Sequence, residues 1–350
     1  MGAGAMIPFG GPTTQELTDR LLKNNICEKL FNPIWSRISQ NGNFEFLLSS
    51  LEILFEWKHT NERDKSNFNQ YLLLQPTWAY QFYSASKLWE VYSEAINEII
   101  ERVKEYDSYT HPIPNKLDNF AMFLLNLIKT NYLKIYSLNY DRLIPKIMKE
   151  KGKIFYEGFD DLRCEYDLAI FNKSPYTFFN LHGSIYNSYI SGGDVKISDT
   201  PINLEHHYNL QGGNTGEHKV FLPIIAGYSK SQRIMSEPSN FGIAAFMNDC
   251  NTCDRLIIAG YSFGDPYVNS ILKKFVKFRS TEIIIVDYNQ GSQLPERLTS
   301  IPYWRLGIPQ AKFIEKGSIF ILDKNPHIKL YVKGFEQYIF DNLNNELSLN

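Results

Sequence analysis

The chain has 350 residues, of which 43% are hydrophobic and 21% charged, with a formal net charge of −2. That is enough apolar material for a sizeable core, arranged as one large α/β domain with insertions or as two domains. The charge balance gives no reason to expect nucleic-acid binding driven by bulk electrostatics, no run of Lys and Arg makes a dense basic patch, and no apolar stretch approaches the roughly 20 residues of a membrane span. The glycine-rich start lacks the basic and apolar segments of a signal peptide, so a cytoplasmic protein is expected.

In chain order, Gly2–Gly11 reads as a loop and Pro12-Thr13-Thr14 as a helix start. A threonine oxygen there can accept from the first free backbone N–H groups, with Glu16 placed for a capping arrangement and helical spacing over Glu16–Leu22. From about Phe31 to Thr110, aromatic and leucine residues recur at helical period: Phe44, Leu47, Leu48, Leu51, Leu54 and Phe55, then Trp89, Tyr92, Ile96, Ile99 and Val103. These predict a helical insertion over residues 31–119 that covers one side of a sheet, with its aromatics serving as core. Residues 1–30 and 120–350 form the sheet domain around it.

Asn119–Lys129 is a predicted helix and Tyr132–Leu138 a strand, followed by a helix from Arg142 that tolerates Pro145 in its first turn. Tyr176–Leu181 is a second strand. Tyr186–Lys219 is rich in Gly, Asn and His and reads as a long loop or small subdomain; its His206 and His207 have no third ligand and read as solvated. Val220–Ala226 suggests a strand and Phe241–Asp249 a helix. Arg255–Ala259 and Glu282–Val286 are short, β-branched and bounded by turn residues, as buried strands are. Ile319–Leu322, Ile328–Val332 and Phe335–Leu343 read as peripheral strands and a last helix.

Four short motifs fall where apolar strands run into loops: Gly2-Ala3-Gly4-Ala5, Leu138-Asn139-Tyr140-Asp141, Leu181-His182-Gly183-Ser184, and Gly260-Tyr261-Ser262-Phe263-Gly264-Asp265. A doubly wound α/β sheet gathers such loops along one edge as a ligand crevice. The first motif can bring backbone N–H groups to a pyrophosphate without an intervening side chain, or can be an ordinary tight turn. Asn139 and Asp141, two apart after a strand, can both project into the crevice, although Asp141 is equally suited to cap the helix from Arg142. His182 titrates near neutrality and can take a proton from a hydroxyl or a water, with Gly183 leaving room behind it and Ser184 able to orient a group locally. Gly260, Ser262 and Gly264 offer backbone and hydroxyl donors to phosphate or ribose, and Asp265-Pro266 starts the next helix. Asp287 and Asn289, past the strand Glu282–Val286, sit where an acid or amide reads a ribose, or where a strand simply turns.

The order and content of these motifs resemble the sirtuin superfamily of NAD-consuming proteins over about residues 1–25 and 125–290. Gly-Tyr-Ser-Phe-Gly-Asp is especially similar to the bacterial sirtuin-like proteins of phage-defence systems, whereas deacylases usually have Gly-Thr-Ser there. The resemblance implies a Rossmann-like parallel sheet with helices on both faces, NAD+ as substrate, and a cofactor-binding set of Gly2, Ala3, Gly4, Ala5, Gly183, Gly260, Ser262, Gly264, Asp287 and Asn289. It further implies that Asn139 orients the ribose and water, that Asp141 holds the nicotinamide carboxamide, and that His182 is the general base. In that fold a hydrophobic strand precedes the first glycine turn; here Met1 stands directly before it and Met6 occupies a position where Ser is common, which leaves the first strand to an upstream segment or to another element. Many deacylating sirtuins carry a four-cysteine zinc ribbon. Here Cys250 and Cys253 are close, but Cys27 and Cys164 are isolated, so no metal is expected.

The activity implied is NAD+ hydrolysis to nicotinamide and ADP-ribose, serving antiviral defence by NAD+ depletion. Such an enzyme needs gating, by a separate activator or sensor protein or by a homo-oligomeric switch; no membrane or direct nucleic-acid partner is expected. The alternatives are an NAD-dependent protein-lysine deacylase and a non-catalytic module that binds NAD or ADP-ribose.

Overall fold

The computed structural model describes residues 1–38, 42–59, 84–108, 114–129, 131–159, 167–189, 195–198, 200–201, 224–227, 230–235, 238–278, 281–288, 313–316, 319–322 and 326–344. Cys164, His206, His207 and Asn289 lie outside the described residues. The first motif does not form the expected loop. Gly2 is extended and leads into one helical turn, α1 (Ala3–Met6), and then a 3-10 turn over Ile7–Phe9. The helix start at Pro12-Thr13-Thr14 is as expected: Thr13 Oγ1 accepts from the Glu16 N–H at 2.9 Å, opening α2 (Thr14–Lys23). Helices α3 (Glu28–Ile38), α4 (Phe44–His59), α5 (Ala85–Asp107) and α6 (Pro114–Ile128) follow.

Strand β1 (Leu133–Ser137) leads through helix α7 (Leu143–Glu150) and helix α8 (Leu168–Lys173) to β2 (Tyr176–Asn180), which pairs with it in parallel. A small antiparallel pair, β3 (Asn187–Tyr189) and β4 (Val195–Ile197), stands in the glycine- and histidine-rich segment. Beyond it come α9 (Lys230–Ile234), α10 (Ser239–Thr252), β5 (Arg255–Ala259), α11 (Pro266–Phe278) and β6 (Glu282–Val286). The chain then adds β7 (Phe313–Lys316), β8 (Ile319–Leu322), β9 (Ile328–Tyr331) and a last helix α12 (Phe335–Leu343). β5, β6 and β9 run parallel, and β8 and β7 extend the same sheet antiparallel in the order β5-β6-β9-β8-β7.

Strand side chains alternate between two cores, as the period of two requires. Ile135, Phe178, Ala259, Ile284 and Tyr331 face one layer, packed with residues of α6, α7 and α12 such as Phe120, Ile144 and Tyr338. Tyr136, Phe179, Ile258, Ile283 and Leu330 face the other, packed with Phe171, Phe246 and Leu272 of α8, α10 and α11. Helices therefore lie on both faces of the parallel strands, the Rossmann-like α/β arrangement. A third core belongs to α2, α3, α4 and α5, where Leu21, Phe31, Leu47, Leu48 and Ile96 are fully or almost fully buried. This helical layer also buries Tyr140, Ile185 and Ile224, so it stands over the segments that leave the carboxyl ends of β1 and β2.

The β1-β2 pair and the β5 sheet do not hydrogen-bond directly to one another as named strands. Met1 and Gly2 connect them. The Met1 amino nitrogen donates to Tyr136 O at 2.5 Å and the Leu138 N–H to Met1 O at 2.9 Å, while the Gly2 N–H donates to Ala259 O at 2.9 Å. The expected first-strand position is thus served, at this level of the sheet, by the backbone of Met1 and Gly2. The connection brings three glycines together. A Cβ on Gly2 or Gly4 would press on the Gly260 carbonyl, and one on Gly260, whose φ is +58°, would overlap the Ala5 amide nitrogen.

Gly260→Ala therefore combines backbone strain with a clash against main chain, and we expect it to lower stability by about 2 kcal/mol or more in denaturant titration. Gly264→Ala is the control: the nearest atom to its added Cβ is the Ser262 hydroxyl at 3.4 Å, and it should stay within roughly 0.5 kcal/mol of the parent. Equal stability of the two variants would contradict the packing role of Gly260.

Candidate active site

One crevice of about 710 Å³ runs along the carboxyl ends of the parallel strands, within the size range of small-molecule sites. Gly2, Ala3, Gly4, Asn139, Asp141, His182, Gly260, Ser262, Gly264 and Asp287 all line it. Motifs separated by more than half the chain thus converge on one cavity. Two of the expected residues do not line it. Ala5 is fully buried in the sheet core, because α1 turns its side chain inward. Gly183 is buried behind His182, with φ +75° and a bridge to Ile224.

The loop after β1 is clamped from several sides. Asn180, the last residue of β2, donates to Asn139 O at 2.7 Å and to Asp141 O at 3.0 Å. The Ser184 hydroxyl and the Ile185 N–H both donate to Tyr140 O, at 2.9 and 3.0 Å. The local orienting role expected of Ser184 is thus exercised on the backbone. Asn139 is half-buried and its amide nitrogen stands 3.5 Å from Gly2 O, at the seam between the two sheets.

Asp141 is buried and makes the capping contact weighed for it: Oδ1 accepts the Leu143 N–H at 3.0 Å at the start of α7, and the residue also lines the crevice. Burial pushes its carboxyl up to about 7; Asp107 adds to the rise, and the Leu143 N–H and Lys146 oppose it. Asp107, from the end of α5, is itself tied to Lys146 at 2.9 Å.

His182 is 4% exposed and its Nε2 lies 3.0 Å from Asp265 Oδ2. The carboxylate is off the line of an N–H hydrogen bond, so Nε2 has a charged neighbour but no aligned partner among the described residues. Burial lowers the histidine pKa, Asp265 works against that, and the Lys230 ammonium works with it. Burial thus favours the neutral imidazole, the state a general base requires. Asp265 is held well below the usual carboxylate range: burial opposes this, and His182 and Lys230 outweigh it.

Asp265, Lys230 and Glu45 are site residues that local sequence reading did not single out. Asp265 was visible as a helix start, and it does cap α11, its Oδ1 accepting from Tyr267 and Val268 at 2.9 and 3.0 Å. Its pairing with His182 and with Lys230, at 3.1 Å, arises only from the fold. Glu45, from α4, completes the row by pairing with Lys230 at 3.3 Å. Cys250 is buried in the sheet core and Cys253 Sγ faces Cys250 O at 3.9 Å. Among the described residues, no group of three or more His, Cys, Asp and Glu side chains could hold a metal ion.

The raised Asp141 carboxyl has a measurable consequence. Its folded value of about 7 exceeds the reference 3.8, so between these values the native state binds more protons than the unfolded chain. Stability then falls as pH rises through that window. In denaturant titrations at about pH 5 and about pH 8, Asp141→Asn should show a smaller loss than the parent. An identical loss in both would contradict the burial of an ionisable Asp141.

Residues 133–304 match the family model described as a SIR2-like domain. No curated protein matches the chain significantly. The matched residues carry Asn139, Asp141, His182, Gly260 and Asp287 and do not extend to Gly2–Ala5 or the helical insertion. These residues therefore carry a SIR2-like domain, supported by the parallel α/β sheet, and that domain family uses NAD+.

Proposed function

We propose that the protein is an NAD+ hydrolase that releases nicotinamide and ADP-ribose. The observation that carries this reading is the convergence of Asn139, Asp141 and His182 with the two glycine segments on one crevice in a SIR2-like chain. The nicotinamide ring is assigned to the end bounded by Asn139, Asp141 and His182. The pyrophosphate takes the glycine segments with the start of α2 at Thr13 and Thr14, and the adenosine the end near Asp287.

In this reading the bond between nicotinamide N1 and ribose C1′ breaks heterolytically. Its electron pair leaves with the ring and neutralises the pyridinium, and positive charge develops on the ribose. Asp141 holds the departing carboxamide, and Asn139 orients the ribose hydroxyls and an attacking water. His182, neutral before reaction, accepts the proton as the water oxygen bonds to C1′. Phe44, Glu45, Val103 and Tyr106 from the insertion wall the crevice and limit access of bulk solvent.

Free hydrolysis of NAD+ would empty the host cell, so control by a separate activator or sensor protein, or by self-association, belongs to the proposal, as does a cytoplasmic role in antiviral defence by NAD+ depletion. No helix among the described residues is long and apolar enough to cross a membrane.

With purified protein and NAD+, His182→Ala should lower nicotinamide release about 10²–10⁴-fold, and Asn139→Ala should lower it comparably. Both should still bind NAD+, because the glycine segments and Asp287 are untouched. Turnover unchanged in His182→Ala would overturn the assignment of the base. Binding without turnover in the parent, with or without a lysine-acylated peptide, would indicate a binding module.

A further inference from the structure

His182 is held by a row of charges that begins in the helical insertion. Glu45 on α4 pairs with Lys230 on α9 at 3.3 Å, Lys230 with Asp265 Oδ2 at 3.1 Å, and the same oxygen with His182 Nε2 at 3.0 Å. The Asp265 carboxylate has little freedom to turn. Its Oδ1 is fixed by two N–H groups at the start of α11, which leaves Oδ2 aimed at the imidazole and the ammonium. Helix α9 is tied to the insertion a second time, through Arg233 and Glu52 at 2.9 Å, and the Tyr92 hydroxyl of α5 donates to the same Glu52 at 2.5 Å. Lys230 therefore reaches Asp265 from a short helix whose place the insertion sets.

We propose that Asp265 is the positioning residue of His182, and that Lys230, placed by the helical insertion, fixes Asp265 in that role. This rests on His182 being the base. A proton kept on Nε2 facing Asp265 leaves Nδ1 unprotonated and able to accept one from water, so one carboxylate sets both the ring's orientation and its tautomer. The contact is close, at 3.0 Å, though not aligned as a hydrogen bond. Lys230 offsets the charge of Asp265, which would otherwise favour imidazolium and remove the base. The charged groups acting on the ring are Asp265, Lys230 and Glu45.

The test reads the His182 imidazole by NMR titration of the full chain without NAD+, the signal assigned by its absence in His182→Ala. Asp265→Asn removes a carboxylate and retains a good helix cap; its His182 midpoint should move to lower pH by about one unit. Lys230→Met removes a cation, and the midpoint should move to higher pH by about one unit. In NAD+ turnover, Asp265→Asn should lower kcat about tenfold or more with KM little changed, and Asp265→Glu should recover part of it. A general loosening of the site would move both variants upward together toward an ordinary histidine, so shifts in the same direction, or none, would overturn the proposal. Opposite shifts in a protein that releases no nicotinamide would sustain the positioning role and reject the hydrolase reading.

Discussion

Backbone meeting backbone at Gly2, Gly4 and Gly260 is the constraint on which the site depends. The β1-β2 pair and the β5 sheet come into register because Met1 bonds to residues at the end of β1 and Gly2 to the end of β5. That approach leaves no space for a Cβ, and Gly260 must also adopt a left-handed backbone that other residues resist. The glycines therefore serve two ends. They bring the halves of the sheet together, and they leave bare main chain lining the crevice where a phosphate can approach.

Once the halves are joined, polar groups fix what hangs from the strand ends. Asn180 and Ser184 clamp the carbonyls of residues 139–141, and Asp265 caps α11 while facing His182. Ser184 and Asp265 are buried, Asn180 is half-buried, and each already has a partner, so rotating it would leave a donor or acceptor unsatisfied at a cost of roughly 1–3 kcal/mol. The same burial sets the chemistry. It favours the uncharged forms of both His182 and Asp141, and leaves the local charges to adjust both. The helical layer takes part in this, since Asp107 and Glu45 reach the crevice residues from α5 and α4.

Much of this was legible in the sequence where the signal is local. Arg255–Ala259, Glu282–Val286 and Ile319–Leu322 are strands with the limits their β-branched runs suggest, and Phe335–Leu343 is the last helix. The Thr13 cap was readable from residue type and spacing. The turn of helix at Ala3–Met6 was not, because Gly-Ala-Gly-Ala has no helical preference and is shaped by its contact with Gly260. His182, Asn139 and Asp141 could be picked out as a constellation because each follows an apolar strand. Lys230 and Glu45 carry no such mark: one opens a short helix and the other sits in the first turn of a largely apolar one, and only the tertiary fold brings them to Asp265. Ala5 shared a motif with crevice residues, yet the direction of one helical turn places it in the core.

The most direct measurement is product analysis of NAD+ turned over by the full chain in water enriched in oxygen-18. Equal amounts of nicotinamide and ADP-ribose, with one heavy oxygen on the ribose C1′ and no requirement for an acylated peptide, are predicted. Intact NAD+, or nicotinamide released only when an acyl-lysine peptide is supplied and accompanied by an acylated ADP-ribose, would contradict hydrolysis in this crevice.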